Sequence, residues 1–354
     1  MSDTFKGAID CDIHPRLPTP RALARYMDDH WRDTVEVRGI ETWDTISYPP
    51  NAPLTSRPDW RAAGADADPV KVASATLDRF GFAHGICNSL FPVQTFRDEN
   101  LAAAFARALN DWLAAEWLDK DPRLLGSAVL PIQSVEKSVE EIERRAGDKR
   151  FVQVLMLVMG DMPLGKRAYW PIYAAAERLG LPIGIHAGSA YHNPPTSVGW
   201  GSYHIEDYVA QATAFQTQLT SLIVEGVFAR HPRLKMVMLE SGFTWLPAYL
   251  WRLHKFWRGV RMETPWVDRA PAEIVRSNIR FSLQPVDAPP DLATLNRLFE
   301  HMQSDELLLF STDYPHWQFD GDEVLPPDLS PDLVRKIMID NPLATYGRLK
   351  MVLA

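Results

Sequence analysis

Short apolar runs alternate along the chain with longer amphipathic stretches. Eight of these runs have the length of buried β-strands, and segments with helical periodicity separate them. Such alternation is typical of βα units that build a parallel sheet. The predicted strands are Ala8–Ile13, His84–Leu90, Leu124–Leu130, Val152–Val158, Pro182–His186, Lys235–Leu239, Arg280–Gln284 and Leu307–Ser311.

Helices between these strands are indicated by apolar stripes and by the residues that begin or end them. After the third strand, an apolar stripe predicts a helix that Gly147 ends. Pro171 at a first helical position and Gly180 after a last turn bound a second helix. A third helix would have an apolar face made of Leu101, Phe105, Ala108 and Trp112.

Eight βα units of this kind predict an α/β fold, a (β/α)8 TIM barrel, which needs about 250 residues. The chain has 354 residues, so the remainder must form insertions. We place one insertion after strand 1, from Pro15 to about Val70, and another after strand 5, from Tyr191 to Tyr203. Neither a repeat nor a linker divides the sequence, so we expect one domain over residues 1–354.

The composition argues against some classes of binding partner but does not identify one. The net charge of −8 argues against a nucleic acid or an anionic membrane, because both favour a basic protein surface. No apolar run approaches the roughly 18 residues of a membrane span. The two cysteines, Cys11 and Cys87, fit a reducing compartment, and the N-terminus has no secretory signal. We expect a cytoplasmic protein.

Ionisable side chains gather at the ends of the predicted strands. Catalytic residues of parallel barrels lie at the C-terminal ends of the strands, so these ends indicate where a site would form. Nitrogen and carboxylate oxygen are ligands for a divalent ion such as Zn²⁺ or Mn²⁺. Two residues that are two apart on a strand point to the same side, as a chelating pair requires. The strand-end residues are Asp12, His14, His186, Glu240 and Asp313.

Four motifs resemble those of the amidohydrolase superfamily. They read "IDCDIHP", "LPIGIHAGS", "HPRLKMVMLESGFTWLP" and "FSTDYPHWQFD". More narrowly, they resemble the group related to aminocarboxymuconate semialdehyde decarboxylase and the hydroxybenzoate-type decarboxylases (amidohydrolase family 2). The resemblance covers nearly the whole chain and implies a barrel with one catalytic metal ion. From the ligand types we expect this ion to be Zn²⁺, with Mn²⁺ as the alternative. By position, the implied ligands are Asp12, His14, His186 and Asp313.

Two positions depart from the pattern of this family. Many members begin with His-x-His or Glu-x-His, whereas this chain has Asp12 and His14. The sixth strand of the related decarboxylases ends in a histidine with an acid–base or orienting role, and Glu240 stands there instead. The reaction of the relatives therefore does not transfer directly.

On this basis we expect a metal-dependent hydrolase of a small, planar, carboxylate-bearing substrate. The metal would lower the pKa of a bound water molecule. Asp313 would take the proton from this water, and Glu240 or His316 would assist.

We also expect an apolar pocket that binds a flat substrate, lined by Phe243, Trp245 and Trp317. Arg252 would hold a substrate carboxylate through two hydrogen bonds. The partner would be this small molecule, with no nucleic acid and no membrane, and we expect a homo-oligomer, a dimer or higher.

Two other functions remain open at this point. One is a non-oxidative decarboxylase of an aromatic or enoic acid, in which the metal holds the carboxylate and Asp313 or its neighbours protonate carbon. The other is a non-catalytic barrel that binds a partner, for which lost metal ligands would be the mark. Release of CO₂ without incorporation of water would favour the decarboxylase over the hydrolase.

Overall fold

The computed structural model describes residues 5–42, 67–188, 193–289, 291–316, 325–326 and 328–352. Each of the eight predicted strands is present within these ranges. The strands are Ile9–Ile13 (β1), His84–Cys87 (β2), Leu124–Val129 (β3), Phe151–Leu157 (β4), Ile183–His186 (β5), Met236–Leu239 (β6), Ile279–Ser282 (β7) and Leu308–Leu309 (β8).

The eight strands form one sheet in the order β1 to β8. The neighbouring strands pair in parallel, as β1 with β2 and β6 with β7 do. Beyond β8 the chain returns to the first strand, where Ile13 and Tyr314 form a parallel bridge and the His14 N–H donates to the Tyr314 oxygen at 2.6 Å. With helices between the strands, this arrangement confirms the predicted (β/α)8 TIM barrel.

Every residue of the eight strands is buried. Strands covered on both faces are expected to be nearly continuous apolar runs, which explains why the sequence located them well. Polar residues inside such strands are therefore exceptional. Asp10, Asp12, Ser127 and Gln153 are among them, and each is completely buried.

The helices occupy the segments between the strands. Asp98 caps the longest one before β3, because its carboxylate accepts hydrogen bonds from the N–H groups of Asn100 and Leu101. The helices are Pro20–Leu23 (α1), Asp29–Val37 (α2), Pro69–Ala73 (α3), Glu99–Leu113 (α4), Val135–Ala146 (α5), Trp170–Leu179 (α6), His204–Val224 (α7), Val227–Arg230 (α8), Leu246–Val260 (α9), Pro271–Asn278 (α10), Leu292–Met302 (α11), Pro331–Arg335 (α12), Asn341–Thr345 (α13) and Leu349–Val352 (α14).

The three helices predicted from stripes and terminators are confirmed. Helix α5 ends at Gly147, and α6 ends at Gly180, whose φ of 66° is the left-handed value that glycine adopts without strain. In α4 the whole predicted apolar face is buried, namely Leu101, Phe105, Ala108 and Trp112.

The last strand is shorter than the sequence predicted. The apolar run from Leu307 to Ser311 has only Leu308–Leu309 in the sheet. Beyond β8 the backbone bonds elsewhere, since the Phe310 N–H donates to the Ile337 oxygen at 3.1 Å and the Thr312 N–H donates to Asp10 Oδ1 at 2.9 Å. The backbone N–H of Thr312, just after the apolar run, therefore bonds a side chain instead of a neighbouring strand. The hydrophobic pattern of the sequence does not predict such a bond.

The chain forms two compact units when its internal contacts are grouped. The first comprises residues 1–155, 311–324 and 348–354, and it contains β1 to β3 and most of β4. The second comprises residues 156–310 and 325–347, and it contains β5 to β8.

The two predicted insertions lie only partly within the described ranges. The first contains α1 and α2, while residues 43–66 lie outside the described ones. In the second, residues 193–203 form turns and bends before α7 begins, and residues 191–192 lie outside the description. Of the helices that the structure describes, none is both long enough and apolar enough to cross a membrane.

We predict that Gly165→Ala destabilises the fold. A Cβ at Gly165 would lie 2.2 Å from the backbone oxygen of Ser221 in α7, and a backbone atom cannot rotate away. The expected loss is about 1–3 kcal/mol of unfolding free energy, the usual cost of overpacking. Urea denaturation measures it. Gly147→Ala is the matched control, because its Cβ would meet nothing within 4 Å. An unchanged midpoint for Gly165→Ala would contradict the packing described here.

Candidate metal centre

Asp12 and His14 lie at the C-terminal end of β1, and both are buried. His14 Nδ1 is 3.0 Å from the backbone oxygen of Asn88 and donates to it when the proton is on Nδ1. That tautomer directs the unprotonated Nε2 towards Asp12 Oδ1 at 3.2 Å and Asp313 Oδ1 at 2.8 Å. A nitrogen lone pair facing two carboxylates favours a bound cation, because the cation removes the repulsion among them.

Asp313 follows β8 in a left-handed backbone conformation, with a φ of 55°. Its carboxylate is fully buried, and Oδ1 lies 2.8 Å from both His14 Nε2 and His316 Nδ1. The two imidazole rings stack, with centroids 4.5 Å apart and planes inclined by 26°. Burial alone would raise the pKa of Asp313, but the neighbouring His316 and His14 hold this pKa well below its usual range.

The second oxygen of Asp313 shows that this group fits a metal ion. Oδ2 is buried and has no hydrogen-bond partner among the described residues. An unsatisfied buried carboxylate oxygen is costly, and coordination of a cation removes this cost. Ligand atoms of Asp12, His14 and Asp313 all lie within 4.8 Å of one another. Two carboxylates and one imidazole are a donor set for a borderline divalent ion.

Asp10 connects the end of β1 to the segment that carries Asp313. Its Oδ1 accepts hydrogen bonds from the Thr312 N–H at 2.9 Å and the Asp12 N–H at 3.2 Å, and its Oδ2 accepts from Thr312 Oγ1 at 2.7 Å. Burial raises the pKa of Asp10 to about 7, and the bonds from Thr312 and Asp12 oppose that rise. Asp10 therefore fixes the spacing between two candidate ligands.

Three polar residues near Asp12 were not predicted from the sequence as part of the site, namely Asn88, Ser127 and Gln153. Asn88 Nδ2 donates to Asp12 Oδ1 at 2.8 Å, and Asn88 Oδ1 accepts from Ser127 Oγ at 2.6 Å and Gln153 Nε2 at 3.1 Å. The signal that could have identified them is a single polar residue within an otherwise apolar strand. Only ionisable residues at strand ends were candidates in the sequence, so residues with amide or hydroxyl side chains were missed.

The second unit has its own pair at the ends of β5 and β6. His186 Nδ1 lies 2.7 Å from the Ala187 oxygen, and His186 Nε2 lies 3.6 Å from Glu240 Oε2. Glu240 has a φ of 57°, and its N–H donates to Ser282 Oγ at 2.8 Å. Ser282, the last residue of β7, thus holds the backbone of the residue that follows β6.

The residues predicted to bind substrate have varied surroundings. Phe243 is completely buried and stacks on Phe299 at 6.3 Å, while half-buried Trp245 donates through Nε1 to the Ser241 oxygen at 3.0 Å. Arg252 is exposed on α9, and its guanidinium lies 5.0 Å from the ring centroid of Phe256. Trp317 lies outside the described residues. A role of these residues in binding stays a prediction.

The fold and this cluster define a parallel barrel with carboxylate and imidazole groups at the C-terminal ends of its strands. A model of the amidohydrolase family matches residues 9–348, so the chain belongs to that family. The match confirms the resemblance on which the sequence argument relied.

Similar proteins include two curated decarboxylases. The γ-resorcylate decarboxylase of Rhizobium sp. (strain MTP-10005) is 30% identical over 192 residues, which are 48% of this chain and 56% of that protein. The 2-amino-3-carboxymuconate-6-semialdehyde decarboxylase of Dictyostelium discoideum is 28% identical over 146 residues, 40% of this chain and 38% of that protein. The chain thus matches about half the length, or less, of these relatives.

A solved structure supports the fold over almost the full length. The dihydroxybenzoic acid decarboxylase of Polaromonas sp. JS666, with bound manganese and the inhibitor 2-nitroresorcinol, superposes with a TM-score of 0.69. Its sequence is 21% identical, and the alignment covers 97% of each chain.

The prediction of a hydrolase is wrong, because the relatives are decarboxylases. The ligand set could not separate the two reactions, since a divalent ion can polarise either a water molecule or a substrate carboxylate. Glu240 in place of the sixth-strand histidine was the feature that counted against decarboxylation, and it was given too much weight. The preference for zinc has no support from these comparisons. Oligomeric state and cellular location stay predictions.

We predict that Thr312→Val destabilises the protein by about 1–3 kcal/mol, because buried Asp10 Oδ2 loses its donor and the Tyr314 N–H loses its acceptor. Denaturant unfolding at a pH above about 7, where Asp10 is ionised, measures the loss. Thr76→Val is the control, since buried Thr76 donates only to a neutral carbonyl, that of Val72, and such bonds contribute less. Equal losses for the two variants would show that Asp10 does not connect the strand ends.

Proposed function

We propose that this protein is a metal-dependent, non-oxidative decarboxylase of a small aromatic carboxylic acid. The observation that carries the proposal is the buried carboxylate of Asp313. One of its oxygens is shared by two histidines, and the other has no hydrogen-bond partner among the described residues. The curated relatives, which decarboxylate γ-resorcylate and an aminocarboxymuconate semialdehyde, support the reaction class and a planar acid as substrate.

Asp12, His14 and Asp313 would hold one divalent ion, with His186 as the fourth ligand. The first three are close in space, and His186, the last residue of β5, is the fourth ligand that the resemblance to the family implies. Such an ion supplies Lewis-acid polarisation of the oxygens that it binds. Oxygen and imidazole donors suit Mn²⁺ as well as Zn²⁺. The manganese bound by the similar Polaromonas enzyme favours Mn²⁺ here.

Decarboxylation breaks the bond between the ring carbon and the carboxylate carbon. The electron pair stays on the ring carbon and must take up a proton as CO₂ departs. Asp313 would relay this proton. Its Oδ1 lies 2.8 Å from His316 Nδ1, and the His316 side chain is 18% exposed, so His316 would connect the buried carboxylate to solvent.

Glu240 would act beside His186 rather than as a copy of the family histidine. Its carboxylate lies 3.6 Å from His186 Nε2, and its backbone is fixed by Ser282. A carboxylate there can accept a hydrogen bond from a substrate hydroxyl group. We propose that Glu240 orients a hydroxyl-bearing aromatic acid in this way, and that half-buried Trp245 provides apolar contact.

The reaction is tested with metal-free protein, Mn²⁺ and a panel of hydroxybenzoic acids. We predict about one Mn²⁺ per chain and release of one CO₂ for each arene formed. A chelator should abolish turnover, and Mn²⁺ should restore it. Elemental analysis and headspace CO₂ measurement provide the readouts. The same acids offered as amides or esters are the controls, and their cleavage without CO₂ would contradict the proposal.

We predict that Asp313→Asn lowers the single-turnover rate by at least about 10²-fold, the usual loss when one acid–base group is removed. The amide is nearly isosteric, so the fold should survive, but it cannot relay the proton. Rapid-quench kinetics with metal-loaded protein isolate the chemical step. Asp121→Asn is a control at a carboxylate that pairs with Arg123 before β3, and it should keep the rate. A normal rate in metal-loaded Asp313→Asn would place the proton donor elsewhere.

A further inference from the structure

Asn88, just beyond β2, is hydrogen-bonded through both its backbone and its side-chain amide. Its backbone N–H donates to the Ile13 oxygen at 2.8 Å, and its backbone oxygen accepts from His14 Nδ1 at 3.0 Å. Its Nδ2 donates to Asp12 Oδ1 at 2.8 Å and to the Cys11 oxygen at 3.2 Å. A single residue therefore contacts both candidate ligands that come from β1.

Two further side chains fix the orientation of the Asn88 amide. Ser127 Oγ and Gln153 Nε2 both lie within hydrogen-bond distance of Asn88 Oδ1, at 2.6 and 3.1 Å, and Gln153 Nε2 also donates to Ser127 Oγ at 2.9 Å. Because Gln153 donates to the Ser127 oxygen, the hydroxyl proton of Ser127 is left to bond Asn88 Oδ1. The amide oxygen is thus held as an acceptor, and Nδ2 must face Asp12.

Burying the polar side chains of Asn88, Ser127 and Gln153 costs folding free energy, so we expect this group to have a function. All three are completely buried: Ser127 and Gln153 lie within β3 and β4, whose other residues are almost all apolar, and Asn88 lies just beyond β2. Polar side chains without solvent contact add little net stability compared with well-packed apolar ones, although a satisfied network orients its members rigidly. The network ends at the carboxylate of Asp12, which identifies the group that it orients.

We propose that Asn88 is a positioning residue for the metal ion and sets its affinity by orienting Asp12 and His14. The proposal rests on the metal site in the proposed function. The side-chain amide fixes the carboxylate of Asp12, and the backbone oxygen fixes the tautomer of His14 with Nε2 free of a proton. Ser127 and Gln153 act through Asn88. Residues that orient ligands in this way typically change metal affinity by about 10–100-fold when they are replaced.

The test measures the Mn²⁺ dissociation constant of metal-free protein by electron paramagnetic resonance, which detects free Mn²⁺ and needs no substrate. Asn88→Ala removes the amide that holds Asp12 and keeps the backbone contact with His14. We expect its dissociation constant to rise by about 10–100-fold. Ser127→Ala removes only one hydroxyl, should keep the fold, and should raise the constant by less.

Asn278→Ala is the matched control. Asn278 is also completely buried, at the end of α10 immediately before β7, and its Nδ2 donates to the backbone oxygens of Pro232 and Leu234. This variant should lose stability while its Mn²⁺ affinity stays at the wild-type value. If a general loss of packing lowered the Mn²⁺ affinity, Asn88→Ala and Asn278→Ala would both bind Mn²⁺ more weakly. If Asn88 positions the ligands, only Asn88→Ala binds Mn²⁺ more weakly, because only Asn88 contacts Asp12.

The outcomes separate this inference from the proposed function. Folded Ser127→Ala and Asn88→Ala with wild-type Mn²⁺ affinity would overturn the inference and leave the decarboxylase standing. A wild-type protein that binds no Mn²⁺ would overturn the metal site and the inference together. If Asn88→Ala does not fold, Ser127→Ala decides, and an unchanged dissociation constant in that variant refutes the role of the network.

Discussion

The contacts between Asp313 Oδ1 and the imidazoles of His14 and His316 are the interaction on which the site depends. They join the segment after the last strand to the end of the first strand, the same place at which the Ile13–Tyr314 bridge brings the chain back to β1. The fold creates this proximity, since residues 14 and 313 are 299 positions apart in the sequence.

Hydrogen bonds from the surrounding structure hold the backbones of Asp313 and Glu240 and the carboxylate of Asp12 in fixed conformations. Asp313 and Glu240 both have positive φ values, and glutamate rarely adopts that conformation without support. Each has an anchor: Thr312 bonds Asp10 immediately before Asp313, and the Glu240 N–H bonds Ser282. The polar network behind Asp12 likewise fixes a carboxylate that water cannot reach. In the proposed function, a metal ion would meet ligands that are already oriented, so little ordering would remain to be done when it binds.

The sequence revealed the strands because they are nearly continuous apolar runs, and it revealed the ionisable residues because β1, β5, β6 and β8 each end at or near one. It did not reveal which polar groups support those residues. Asn88 and Gln153 carry no charge, and their partners come from other strands, so only the folded register brings them together. Phe243, an aromatic residue near a strand end, was predicted to contact the substrate; it is completely buried against Phe299, and its role in binding stays a prediction. The reaction class could not be predicted from the sequence pattern either, because hydrolysis and decarboxylation require the same kind of metal site.

The central claim is that this site protonates a ring carbon as CO₂ departs. The most direct measurement is turnover of a hydroxybenzoic acid in D₂O, followed by NMR and mass spectrometry of the arene. One deuterium is predicted per product molecule, located at the carbon that lost the carboxylate. An arene released with hydrogen rather than deuterium at that carbon, or an acid that keeps its carboxyl group in the presence of Mn²⁺, would contradict this claim.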